Sequence, residues 1–168
     1  MNRSHLAVVI VLSLRILPGA PDSQAALVDF TVAPNADQVV GLDVDSAATG
    51  AGWLRLNTDT HTIVWSLITS NLTGPLTGAH WHGPAAPGEN ADVQIVLDHT
   101  LNPMVGSAVL DSIQEVQLLD NLWYVNIHTA AYPTGEIRGQ ALRVIPEPAT
   151  VVLLVLGAMC LFRSRRAR

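Results

Sequence analysis

Two neighbouring stretches of the chain alternate side-chain type with a period of two: Trp53-Leu54-Arg55-Leu56-Asn57 and Ile63-Val64-Trp65-Ser66-Leu67-Ile68, joined across Thr58-Asp59-Thr60. Successive side chains of an extended strand point to opposite faces, so this pattern predicts a hairpin and excludes a helix. Leu54 and Leu56 form the apolar face of the first strand. In the second strand both faces are largely apolar, which predicts a central position in a packed sheet. The same rhythm of β-branched and aromatic residues between Gly, Pro, Asn and Asp predicts further strands over 26–32 (ALVDFTV), 38–44 (QVVGLDV), 77–82 (TGAHWH), 92–98 (DVQIVLD), 122–129 (LWYVNIHT) and 135–144 (GEIRGQALRV). One helix of about two turns is predicted over 111–121, with Asp111 as N-cap and Glu115 near the positive end of the helix dipole. With no long-period repeat, the chain reads as all-β: a single Greek-key-like β-sandwich or flattened barrel with one short helix.

The single cysteine, Cys160, lies in an apolar stretch near the C-terminus, so the body of the chain has neither a disulfide nor a thiolate for zinc or nucleophilic chemistry. Its fold must rest on apolar packing. Between Leu27 and Pro146 there is no lysine, and three arginines (Arg55, Arg138, Arg143) stand against twelve Asp and Glu residues, a balance of −9. Nucleic acid and anionic membrane surfaces are repelled by such a body, and the acidity serves first to keep it soluble.

The two ends read as processing segments. Arg3, the apolar run Leu6 to Leu14 and Ser-Gln-Ala ahead of Ala26 have the order of a signal peptide spanning 1–26, cut by signal peptidase. At the other end Pro146-Glu147-Pro148 precedes a twelve-residue apolar run, Val151 to Phe162, and then Arg163, Arg165, Arg166 and Arg168. That run falls short of the roughly 20 residues that span a bilayer comfortably. Arginines beyond it favour a cytoplasmic C-terminus. The arrangement resembles the PEP-CTERM sorting signal of Gram-negative bacteria. The resemblance implies an exported protein, transiently held in the membrane through its C-terminal helix. An exosortase then processes it for delivery to the cell envelope, the surface or the extracellular matrix. The expected division is 1–26 signal peptide, 27–144 domain and 145–168 sorting segment.

Three motifs fall in the body: GAHWHGPA from Gly78, LLDNLWYVNIHT from Leu118 and YPTGEIRGQ from Tyr132. Together they resemble the CHRD domain, named for its occurrence in chordin, from about Leu27 to Leu142. Trp81 departs from the pattern, which usually has a smaller aliphatic between the histidines. The resemblance implies an extracellular β domain with no established enzymatic mechanism.

Strand alternation places His80 and His82 on one face and Trp81 on the other. It likewise places Tyr124, Asn126 and His128 opposite Trp123, Val125 and Ile127. If the two strands are neighbours, three imidazoles converge. Two readings stay open. The histidines join a hydrogen-bonded network with Tyr124, Asn126, Arg138 and Gln140 that holds the Gly83-Pro84 loop, or they bind copper or zinc with an open position. The run Gly78-Ala79-His80-Trp81-His82 is similar to the Gly-x-His-x-His of copper-zinc superoxide dismutase, so the alternative is a metal-binding protein of that shape. His61 and His99 fall in turns and read as solvated. Asp43 and Asp45 read as a polar strand face in preference to a calcium site. No nucleophile elbow, phosphate loop or zincin motif is present. The expected function is that of an exported, non-enzymatic module with a structural or interaction role and no required cofactor, its export partners being signal peptidase and exosortase.

Overall fold

The computed structural model describes residues 26–145. The signal-peptide segment up to residue 25 lies outside the described residues. So does the sorting segment from residue 146 on, with Pro146, Glu147, Pro148, Arg163, Arg165 and Arg166.

Nine strands and one helix form in the order β1 (Leu27–Val32), β2 (Thr49–Asn57), β3 (Thr62–Ser70), β4 (Leu76–His82), β5 (Val93–Val96), β6 (Met104–Val109), α1 (Ser112–Leu119), β7 (Tyr124–Thr129), β8 (Ile137–Gln140) and β9 (Leu142–Arg143). They build a five-stranded sheet, β6-β3-β2-β1-β9, and a four-stranded sheet, β5-β4-β7-β8. All pairings are antiparallel. The architecture is a sandwich and not a closed barrel.

The predicted hairpin is β2–β3, with Leu54 opposite Trp65 and Leu56 opposite Ile63. These four side chains are buried, with Phe30 and Leu67, in the inner face of the larger sheet. Ala79, Trp81, Val125, Ile127 and Ile137 supply the inner face of the smaller one. The sheets meet where Trp65 and Trp81 contact edge to face, ring centroids 6.4 Å apart at 76°. Each large side chain buried this way stabilises by about 1.5–3 kcal/mol, which is how a body without disulfides keeps its form. β3 does lie between two strands, but its second face is open: Val64 and Ile68 stay exposed. Apolar character on both faces therefore reported position in the sheet and not double coverage.

The helix follows its capping chemistry. Asp111 accepts from the backbone N–H of Ile113 and Gln114 while Gln114 Oε1 accepts from the Asp111 N–H, closing a capping box. Leu118 fixes it to the core.

Two sequence expectations are corrected, and one strand was not foreseen. The stretch 38–44 is no strand: after a 3-10 turn, Ala36–Gln38, the chain bends, and Gly41 takes φ +80°, which an extended ladder does not admit. The stretch 135–144 is two strands, because the chain passes from one sheet to the other at Ala141: β8 pairs with β7 and β9 with β1. β6, rich in small residues, gave no alternation by which to see it.

Candidate metal centre

The site occupies the outer face of the smaller sheet. β4 and β7 are neighbours, with His80 opposite Asn126, His82 opposite Tyr124 and Gly78 opposite His128. One register shift precedes the His-x-His segment, between Leu76 and Gly78, and a second falls within it, between Trp81 and His82. Bulges of this kind re-aim side chains and sharpen the local twist. Gly78 adds room: a Cβ there would lie 3.3 Å from His80 Cε1 and 3.7 Å from His128 Cδ2.

The three imidazoles converge. His80 Nδ1 lies 3.1 Å from His128 Nε2, and one ligand nitrogen from each of His80, His82 and His128 falls within 4.8 Å of the others. His82 Nδ1 is 2.9 Å from the carbonyl oxygen of Ala91, and His128 Nδ1 is 3.0 Å from that of Pro133. A carbonyl oxygen only accepts, so both Nδ1 atoms carry protons and both Nε2 atoms present lone pairs. His82 Nε2 is buried with no hydrogen-bond partner. His128 Nε2 accepts from His80, which fixes the Nδ1–H tautomer of His80.

Burial pushes the His82 pKa below the ordinary histidine value, and burial followed by the nearby His128 and His82 charges does the same to His80. Both of these rings therefore favour the neutral form that a metal requires.

Around this trio the face is closed by loops. His82 stacks on Tyr124, centroids 5.0 Å apart and planes 10° from parallel, and the Arg138 guanidinium carbon sits 3.8 Å from the Tyr124 centroid. Arg138 Nη2 donates to Gln140 Oε1 at 3.0 Å and to the Glu89 carbonyl at 3.2 Å. Gln140 Nε2 donates to the carbonyls of Ala85 and Asn121 at 2.9 and 2.7 Å, and Asn126 Nδ2 to that of Thr134 at 3.2 Å. The network expected from sequence thus divides. Gln140 does hold the loop after Gly83-Pro84, but the histidines bond to main-chain carbonyls and to one another, not to Tyr124, Asn126, Arg138 or Gln140. The carbonyl partners Ala91 and Pro133 carried no sequence signal, since any residue offers that oxygen.

His61 and His99 stand apart from the trio. His61 is exposed, but its Nδ1 pairs with the Glu115 carboxylate of α1 and is not simply solvated. Asp45 contributes its main-chain oxygen to the Tyr132 hydroxyl at 2.9 Å, in a segment without regular structure, so the polar strand face read at Asp43 and Asp45 is not formed.

A buried carboxylate that sequence reasoning left within a motif is Glu136. It accepts from Ser46 Oγ (2.6 Å), Thr73 N (2.8 Å), Thr73 Oγ1 (2.7 Å) and Thr129 Oγ1 (2.6 Å). These bonds tie together the segments that frame the sandwich end beside His128.

Comparison with protein families matches residues 30–141 to the CHRD domain and residues 144–166 to the PEP-CTERM protein-sorting motif. Neither is an enzyme family. Comparisons with curated proteins and with solved structures gave no match. The sorting motif marks an exported protein of the cell envelope surface that an exosortase handles. Among the described residues no helix is long and apolar enough to cross a membrane.

Proposed function

This chain belongs to the CHRD domain family, and from that premise we propose that it is a non-enzymatic surface or matrix module that binds one copper or zinc ion through His80, His82 and His128. The observation that carries the reading is the anchoring of two rings by their Nδ1–H groups. Metal-binding histidines characteristically donate their second N–H to a carbonyl or carboxylate, which fixes the ring and raises the basicity of the coordinating nitrogen. His82 and His128 have that arrangement, and the buried lone pair of His82 Nε2 otherwise meets nothing. A ligand nitrogen at 2.0–2.1 Å from zinc implies nitrogens about 3.3 Å apart, so the trio closes by about 1.5 Å on binding. The half-buried His80 is the ring able to turn, exchanging its hydrogen bond to His128 for the metal.

Three imidazoles suit copper or zinc over calcium or magnesium, which take oxygen ligands. Further elements of the reading are the 1–26 signal peptide, the 27–144 domain boundaries and a C-terminus that faces the cytoplasm until exosortase processing. The competing reading keeps the histidines as a purely structural cluster and is favoured by the 3.1 Å His80–His128 contact.

Metal analysis of protein secreted with copper and zinc available tests the choice. About one equivalent of metal is expected, lost on His80→Ala, His82→Ala or His128→Ala and kept on His61→Ala or His99→Ala. Metal-free protein that also fails to take up either ion on titration would leave the structural reading.

A further inference from the structure

Among the described residues Arg138 is a buried cation without a counter-ion. Its side chain is 2% exposed, and its hydrogen bonds run only to the neutral acceptors Glu89 O and Gln140 Oε1. The rest of its support is the face of the Tyr124 ring. Its Nε has no partner. The ion pairs among the described residues are Arg55 with Asp29 and His61 with Glu115, and neither involves it. A guanidinium stays charged even where burial opposes it, and an uncompensated buried charge costs several kcal/mol.

That charge lines a cleft of about 320 Å³ whose wall also includes His82, Tyr124, Asn126, His128 and Thr134. It also lines a second cleft of about 430 Å³, together with Gln38, Pro87 and Gly88. Asp37, the carboxylate at the rim of that second cleft, is exposed and lies beyond ion-pair distance. A second group on the wall is also unmet: Asn126 Oδ1 is buried without a donor.

We propose that this cleft binds a small planar oxyanion, a carboxylate or bicarbonate, through the guanidinium of Arg138. Nη2 already donates twice, so the unpartnered Nε–H is the donor left for one oxygen of such an anion, and the hydrogen bond is charge-assisted on both sides. The unmatched acceptor of Asn126 suits an anion that also carries a hydroxyl, as bicarbonate does. The site lies next to the three histidines but does not depend on a metal. Arg138 and Asn126 are unsatisfied by the protein alone.

The test uses the purified full-length chain, labelled with nitrogen-15 and stripped with chelator, observed through the Arg138 Nε–H resonance. Sodium bicarbonate, acetate and chloride are titrated at constant ionic strength. Saturable movement of that resonance with bicarbonate or acetate, and none with chloride, is expected. Tighter binding of bicarbonate identifies the inorganic anion, and tighter binding of acetate a carboxylate ligand. Arg138→Lys, followed together with the unaltered protein on the Asn126 side-chain amide resonance of the same cleft wall, keeps the charge and loses the guanidinium donors, and is expected to weaken binding at least about tenfold. No saturable movement, equal movement with chloride, or undiminished binding by Arg138→Lys would overturn the assignment. Zinc added to the same sample is read on the histidine resonances, so failure of the metal reading is seen separately.

Discussion

His80 and His128, 48 residues apart in sequence, face one another across the β4–β7 ladder with Nδ1 and Nε2 3.1 Å apart. The contact joins two strands through their outer faces, while Ala79, Trp81, Val125 and Ile127 of the same strands fill the core behind it. Packing on one face thereby fixes the spacing of the histidines on the other.

The first prediction concerns pH. His80 and His82 have pKa values below the unfolded value of 6.5, each chiefly through burial. Where a folded base is the weaker one, the unfolded chain binds more protons, so stability is fully present above the unfolded pKa and falls as pH drops below it. Urea midpoints of the metal-free protein are expected to be higher near about pH 7.5 than near about pH 5.5. His82→Gln should reduce the difference. Metal affinity falls over the same range because protons compete for the same lone pairs.

Glu136 gives a second and more acidic window. Burial raises its pKa, but the hydrogen bonds from Ser46, Thr129 and Thr73 outweigh it and leave the net shift downward from 4.5. Its contribution is present above that value and lost as pH falls through the lowered folded pKa. Glu136→Gln replaces charge-assisted hydrogen bonds with weaker ones and is expected to cost about 2–3 kcal/mol at neutral pH. Urea unfolding checks this, and a cost below about 0.5 kcal/mol would contradict the clamp described at the sandwich end.

The open edge of β8 is bracketed by Asn35, whose N–H and C=O exchange hydrogen bonds of 3.1 Å with Arg138. A Cβ on Gly139 would stand 2.7 Å from Pro34 N and 2.9 Å from Pro34 Cα. These are main-chain and ring atoms that do not turn aside. Gly139→Ala is expected to cost about 1–3 kcal/mol and to loosen the 34–48 segment over the cleft. Faster amide exchange at Asn35 and Arg138 would register it.

Much of this arrangement was legible in the sequence, and the exceptions have physical causes. Alternation alone separates His80 and His82 from Trp81, and His128 from Ile127, because each strand divides one polar face from one apolar face. Val39, Val40 and Leu42 had the composition of a strand, yet they line the cleft over the histidines. Covering a polar site takes the same side chains as filling a sheet. The β8–β9 crossing was hidden because Ala141, buried where the chain changes sheets, does not interrupt the apolar pattern. The anchors of the rings are main-chain oxygens, which no residue type announces.

The helix cap supplies a smaller prediction. Asp111→Ala removes the acceptor for two backbone N–H groups at the start of α1 and is expected to cost about 1 kcal/mol. Asp111→Asn should recover most of it. Denaturant midpoints of the two variants distinguish a cap from a mere surface charge.

Export processing is tested by changing Pro146, Glu147 and Pro148 to Ala. Full-length protein is then expected to accumulate in the membrane, because the apolar run would be retained without its sorting triplet. Unchanged processing and surface delivery would remove the role assigned to the triplet.

X-ray absorption at the metal edge of copper- or zinc-loaded protein tests the central claim most directly, because it counts and identifies the ligands. The three-histidine site predicts about three imidazole nitrogens at 2.0–2.1 Å, falling to about two in His128→Ala. A shell of oxygens, or three imidazoles that persist when His80, His82 and His128 are all replaced, would contradict it.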